Sequence, residues 1–231
     1  MYFDPIYLLL TVPGLIISML ASLYVKSTFK RYDRVLGAGG MTGAQAADAM
    51  LRANGVYNVR INCIDGFLSD HFNPADNTLN LSTAVYNGRS LSAVGVACHE
   101  AGHALQKATE YPWLGMRSSL VPLANIGSQF SYLVLMLGLL LQMTSLMYGA
   151  CILFGCAFLF TIVTLPVEWD ASARAKTAMT RCGLLSPQEE EHAASVLNAA
   201  FMTYVASAIS ALLTLLYFLY RAGILGGRRR D

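Results

Sequence analysis

Charge is what this sequence has least of. Asp, Glu, Lys and Arg supply 13% of its 231 residues while hydrophobic types supply 55%, whereas soluble domains are usually about 25% charged. A freely soluble globular chain is therefore a poor fit. The net charge is only +2, which by itself implies nothing about nucleic acid, and no nucleic-acid partner is expected. Cysteine is sparse and unpatterned. Cys63, Cys98, Cys151, Cys156 and Cys182 are odd in number and contain no C-x-x-C spacing, which leaves neither a disulfide framework nor a thiolate metal cluster. Cys151 and Cys156 fall inside an apolar run and read as small packing residues. Internal repeats and low-complexity tracts are absent too, so solenoids and disordered arrays drop out.

Long apolar runs are present instead. Residues 6–25, 120–141, 145–165 and 201–220 each reach the length of about 20 residues needed to cross a hydrocarbon core as a helix. Pro13 and Gly14 interrupt the first run and should kink it without abolishing it. That run has no basic stretch before it and no small-residue cleavage pattern, so it reads as a retained anchor rather than a signal peptide. Lys26, Lys30, Arg31 and Arg34 follow it directly, and only Asp4 precedes it. Basic residues favour the cytoplasmic flank, which puts the segment after the first crossing in the cytoplasm. The tail Arg228-Arg229-Arg230 argues the other way, because four crossings carry it outside.

Two polar segments lie between the runs, at 26–119 and 166–200. Ala44 to Ala53 reads as a helix capped by Thr42 and stopped by Asn54-Gly55. Alternation from Val56 to Ile64 suggests a short strand, and Thr78-Leu79-Asn80-Leu81-Ser82 a second one, with turn chemistry at 73–77. Ser90 caps a helix expected to run to about Thr109.

That helix holds His99-Glu100-Ala101-Gly102-His103. At about 3.6 residues per turn, side chains four apart stand one above the other. His99 and His103 can thus offer two imidazoles to one zinc ion, with Glu100 about 100° around the axis as the base for a water there. Gly102 costs about 1 kcal/mol of helix stability relative to Ala, which makes sense if a backbone or a substrate comes close. A catalytic zinc needs a third protein ligand, here a carboxylate or a third histidine. Val167-Glu168-Trp169-Asp170 opens the second polar segment. Asp170 has Arg174 four residues on as a local ion-pair partner, while Glu168 has no cation on its stripe. Glu168 is accordingly the favoured ligand and Asp170 the second choice. His71 could steady an oxyanion or be a plain surface histidine. His192 follows a capping box of Ser186 and Glu189 with Pro187 at the first helical position, which accounts for the acidic run locally. Thr78, Leu79, Asn80 and Leu81 form either a substrate-binding strand edge or an ordinary internal strand.

The chain resembles the YugP-type family of membrane zinc metallopeptidases, distant relatives of HtpX-like and prenyl-protein-processing peptidases. The likeness covers nearly the whole chain. It rests on Leu68-Ser69-Asp70-His71-Phe72-Asn73-Pro74, Leu79-Asn80-Leu81-Ser82, Val85-Tyr86-Asn87-Gly88-Arg89-Ser90-Leu91, Val96 to Gln106 around the pentad, and Leu165 to Ser172. The resemblance implies a gluzincin site with His99, His103 and Glu168 on one Zn2+ and Glu100 as base. HtpX-like relatives carry an aspartate four residues after the ligand glutamate, where this chain has Ser172. Asp170 is the expected substitute as support for the first histidine.

The expected architecture is an α-helical membrane protein. It would have about four transmembrane helices and a small α+β zincin-like catalytic domain between the first and second. The boundaries run as an anchor at 1–25, a catalytic region at 26–119, a transmembrane hairpin at 120–165, a helical segment with the third ligand at 166–200, and a last span with a basic tail at 201–231. The expected activity is zinc endopeptidase action on peptides or proteins, membrane proteins among them, at a bacterial-type plasma membrane with the site facing the cytoplasm. Arg174 and His71 are candidate contacts for the substrate or oxyanion. Two other classes stay open. Glu100-to-His103 and Glu189-to-His192 are both E-x-x-H pairs, the motif of di-iron carboxylate bundles. A non-catalytic scaffold could also keep zinc, closed by four protein ligands.

Overall fold

A computed structural model describes residues 4–225, so the Arg228–Arg230 tail lies outside the described residues. The elements run α1 (Pro5–Tyr32), α2 (Gly43–Ala53), β1 (Arg60–Ile64), β2 (His71–Asn73), β3 (Thr78–Ser82), α3 (Thr83–Tyr86), α4 (Leu91–Ala108), α5 (Pro112–Leu140), α6 (Thr144–Arg181) and α7 (Pro187–Arg221). Four of these helices, α1, α5, α6 and α7, are long and apolar enough to cross a membrane. They outrun the apolar stretches of the sequence, because a helix has no reason to stop where its surroundings turn polar. Pro112 and Pro187 sit at the first positions of α5 and α7, where the missing N–H costs nothing. Pro13 lies within α1, and the neighbouring Gly14 carbonyl accepts a hydrogen bond from the Ser210 hydroxyl at 2.8 Å.

The chain divides into two compact units. One comprises residues 1–21, 115–165 and 203–231, and the other residues 22–114 and 166–202. In the first, Leu135, Phe154 and Phe218 build the buried centre. Asp4 accepts from Arg221 Nη1 at 2.6 Å and from the Tyr217 hydroxyl at 3.2 Å, which joins the start of α1 to the end of α7.

The second unit is α+β. Thr42 caps α2 through a reciprocal box with Gln45, and Gly55 turns the chain at φ +76°, a region that glycine enters without strain. The sheet order is β1-β3-β2, with β1 parallel and β2 antiparallel to β3. β1 begins at Arg60 rather than Val56 because its partner strand starts at Thr78, which pairs with Arg60. β3 is the central strand and is buried on both faces except at Asn80. The reading of Thr78, Leu79, Asn80 and Leu81 as an edge for substrate is therefore corrected: β1 and β2 already take both sides of that strand, and β2 was not anticipated as a strand. Leu79 and Leu81 join Met50, Leu91, Val94 and Leu197 in the core.

Helix α4 lies at the heart of this unit. Ser90 caps it by accepting from Ala93 N at 3.1 Å, and the Ser90 hydroxyl donates to Asp33 at 2.8 Å. Two glycines let neighbouring helices approach. A Cβ on Gly95 would lie 3.3 Å from the Ala193 Cβ of α7, and one on Gly102 would lie 2.5 Å from the Ala171 carbonyl oxygen of α6. The second distance is a steric clash with backbone, so only glycine permits the contact. Gly102→Ala should therefore destabilise the protein by about 1–3 kcal/mol or more, read as a lower thermal midpoint in detergent. Gly115→Ala, where an added Cβ meets nothing within 4 Å, should leave the midpoint unchanged or raise it.

Candidate metal centre

The α4–α6 contact brings the sequence-distant carboxylate to the pentad. His99 Nε2 lies 3.2 Å and His103 Nε2 3.5 Å from Glu168 Oε2. One ligand atom from each of the three residues falls within 4.8 Å of the other two, and among the described residues this is the one His/Cys/Asp/Glu group that could hold a metal ion. Zn–N and Zn–O bonds of about 2.0–2.1 Å in a tetrahedron separate neighbouring donors by roughly 3.4 Å. The two histidine–glutamate spacings match that figure, and the third lies within 4.8 Å, so the donor set fits zinc in chemistry and is close to it in size. The site is largely shielded: Glu168 is 1% and His103 7% exposed.

The outer ring nitrogens are held as well. His99 Nδ1 lies 3.1 Å from Ser172 Oγ, and His103 Nδ1 lies 2.9 Å from Gln106 Oε1. The expectation for Asp170 needs correction here. Ser172 itself supports the first histidine, and Asp170 instead accepts from Gln106 Nε2 at 2.9 Å and from Arg174 Nε at 2.6 Å. The i,i+4 pair with Arg174 is formed as its spacing suggested. Gln106 had no role assigned from sequence. Its signal was its place seven residues after His99, which puts a polar amide on the same helix face as both imidazoles.

Glu100 stands beside the three donors and accepts a hydrogen bond from the Phe72 main-chain N–H at 3.0 Å through Oε2. Burial pushes its carboxyl above the ordinary value, His99 and His103 pull it back, and the charges of Glu168 and Asp70 push it up again. A carboxylate raised in this way is better matched to taking and returning a proton near neutral pH. His103 is pulled down by burial, but its hydrogen bond to Glu168 and that residue's charge outweigh the burial and leave it raised. Asp70, raised by burial, accepts from Ser82 N at 2.7 Å and from the Ser82 hydroxyl at 3.2 Å. That clasp fixes the start of β2 against β3.

Other candidates lie elsewhere. His71 pairs with Asn80 Nδ2 at 3.2 Å and with the Ser69 carbonyl at 2.9 Å, in a polar row that Asn62 continues. Arg174 is tied to Asp170, to Thr109 Oγ1 at 3.1 Å and to the face of Tyr111. Neither is brought into the donor group. His192 stacks on Tyr32. Glu189 accepts from Ser186 N at 2.9 Å and from Ala38 N at 2.6 Å, so the second E-x-x-H pair serves a helix start and a loop and does not bind beside the first.

Two imidazoles one helical turn apart, a buried glutamate from a later helix and a second glutamate beside them define the zinc-peptidase class of site. Residues 7–223 match the model of the family described as "Putative neutral zinc metallopeptidase", and the chain belongs to that family. It is also 40% identical over 213 residues to the protein named "Putative membrane protease YugP" of Bacillus subtilis (strain 168), covering 92% of this chain and 95% of that protein. No solved structure matches it.

Elemental analysis of the purified chain should find one zinc per molecule in the parent and in Glu100→Gln. His99→Ala, His103→Ala and Glu168→Ala should each lose most of it. Full retention by Glu168→Ala would remove that residue from the ligand set.

Proposed function

We propose that the chain is a membrane-embedded zinc endopeptidase of the gluzincin type. His99, His103 and Glu168 hold the ion, and Glu100 is the catalytic base. The observation that carries this reading is the convergence of those three donors, both histidine nitrogens within 3.5 Å of Glu168, with Glu100 close enough to feel the charge of all three. The catalytic region is residues 26–119, with 166–200 adding the third ligand from α6. When bound, zinc supplies Lewis-acid polarisation of the scissile carbonyl and makes a water acidic enough to lose its proton near pH 7.

The chain's own residues do the rest. Glu100 accepts the proton of the attacking water and later delivers it to the leaving amine, which balances the hydrolysis. Its one oxygen fixed by the Phe72 N–H leaves the other to serve the water. Glu168 neutralises part of the ion's charge. With β3 internal, the backbone edge left beside Glu100 for an extended peptide is that of β2, a mode that tolerates many side chains. Substrates are peptide segments of proteins, including membrane proteins, in quality control at the bilayer surface. Glu168 lies three residues beyond the apolar run ending at Leu165, about 4.5 Å along a helix, which supports a site near the lipid boundary. The basic cluster 26–34 supports a cytoplasmic site.

Glu100→Gln should keep its zinc and lose at least a hundredfold of turnover on a quenched fluorescent casein; undiminished proteolysis would rule out the assignment. Orientation is tested with Cys63, the exposed cysteine of the second unit, kept as a single cysteine. A membrane-impermeant maleimide should label it only after the cells are opened, and labelling of intact cells would reverse the topology.

A further inference from the structure

We propose that Gln106 is a positioning residue that sets the tautomer and aim of His103, and that Asp170 with Arg174 sets Gln106. The inference rests on the zinc reading of the His99–His103–Glu168 group. Gln106 is fully buried, and its carboxamide has two distinct ends. Nε2 lies 2.7 Å from the Val167 carbonyl and 2.9 Å from Asp170 Oδ2. Both of those atoms are acceptors only, so the NH2 end must face them. Turning the amide over would set three oxygens against one another inside the protein.

Oε1 is thereby directed at His103 Nδ1, 2.9 Å away. Since Oε1 can only accept, Nδ1 must carry a proton, so when His103 is neutral its lone pair is on Nε2, the nitrogen facing Glu168. The state of the His103 ring is thus set through the amide, by the Val167 carbonyl together with a carboxylate that bonds to Gln106 rather than to the imidazole. Arg174 holds that carboxylate in place through its Nε at 2.6 Å and is itself fixed to Thr109. His99 has a different arrangement: Ser172 Oγ can accept or donate and imposes no tautomer. The two histidines are therefore controlled unequally, and His103 is the one wired in advance for metal.

The test is zinc affinity of the full chain in detergent, measured by competition with a chromophoric chelator, together with the visible spectrum of the cobalt(II)-loaded protein. Gln106→Leu should weaken zinc binding by about 10–100-fold and shift the cobalt bands, with helix content unchanged. Asp170→Asn should weaken it severalfold in the parent. In the double variant it should add nothing to Gln106→Leu, because its effect passes through the amide. Affinity within twofold of the parent in Gln106→Leu, or losses that simply multiply in the double variant, would overturn the proposal. If Gln106→Leu does not fold, Asp170→Asn alone decides: a severalfold loss with shifted cobalt bands upholds the relay, and an unchanged affinity and spectrum refute it. A parent protein that takes up no zinc refutes the metal reading itself and this inference with it, and that outcome is read before any variant is made.

Discussion

The site depends on one backbone contact, the approach of α6 to α4 where Gly102 faces the Ala171 carbonyl. The glycine sits inside the pentad, between the two metal-facing histidines in sequence, and it lies against the turn of α6 that carries Glu168 and Ser172. Any side chain at Gly102 would push the two helices apart and carry Glu168 away from the imidazoles. The loss of helix propensity at Gly102, about 1 kcal/mol, is thus offset by a helix approach that brings Glu168 to the imidazoles and that no other residue permits. The core leucines and alanines of the second unit hold α4 still, and the missing Cβ lets the third donor reach it.

Around that contact, charge is kept one step back from the outer nitrogens of the imidazoles. The groups touching their outer nitrogens are a hydroxyl and a carboxamide, both neutral, and the nearest supporting carboxylate, Asp170, is already balanced by Arg174. Buried polar networks hold only when every member is satisfied. In this one, the Gln106 amide, the Asp170 carboxylate and the Arg174 Nε all have partners. Among the described residues Glu168 is the carboxylate grouped with the two imidazoles, while Glu100 accepts from the Phe72 main chain. The two glutamates have different environments, which supports the proposed division between a ligand and a base.

What could be read from sequence was local or periodic. The cap at Thr42, the box at Ser186 and Glu189, the stop at Asn54-Gly55 and the one-turn spacing of His99 and His103 each depend on residues a few positions apart. Glu168 was separated from Asp170 by a local rule as well, since an i,i+4 cation accounts for Asp170 and leaves Glu168 to be explained. Gly102 signals a close approach by either a backbone or a substrate, and the structure makes it the Ala171 backbone. What escaped was tertiary. β2 is three residues long and has no alternation to show, so the strand order, and with it the internal place of Thr78 to Ser82, could not be seen. Gln106 looked like an ordinary helix residue because its value lies in Val167 and Asp170, about 60 positions away. Ser172 looked like a loss relative to a carboxylate, yet its hydroxyl reaches His99.

The central claim is that two imidazole nitrogens and a glutamate oxygen share one zinc ion. X-ray absorption at the zinc edge, on the purified full chain, tests it most directly. The account predicts a first shell of nitrogen and oxygen at about 2.0–2.1 Å, with the outer-shell pattern of two imidazoles and no sulfur. A sulfur contribution near 2.3 Å, or a shell with no imidazole, would contradict it.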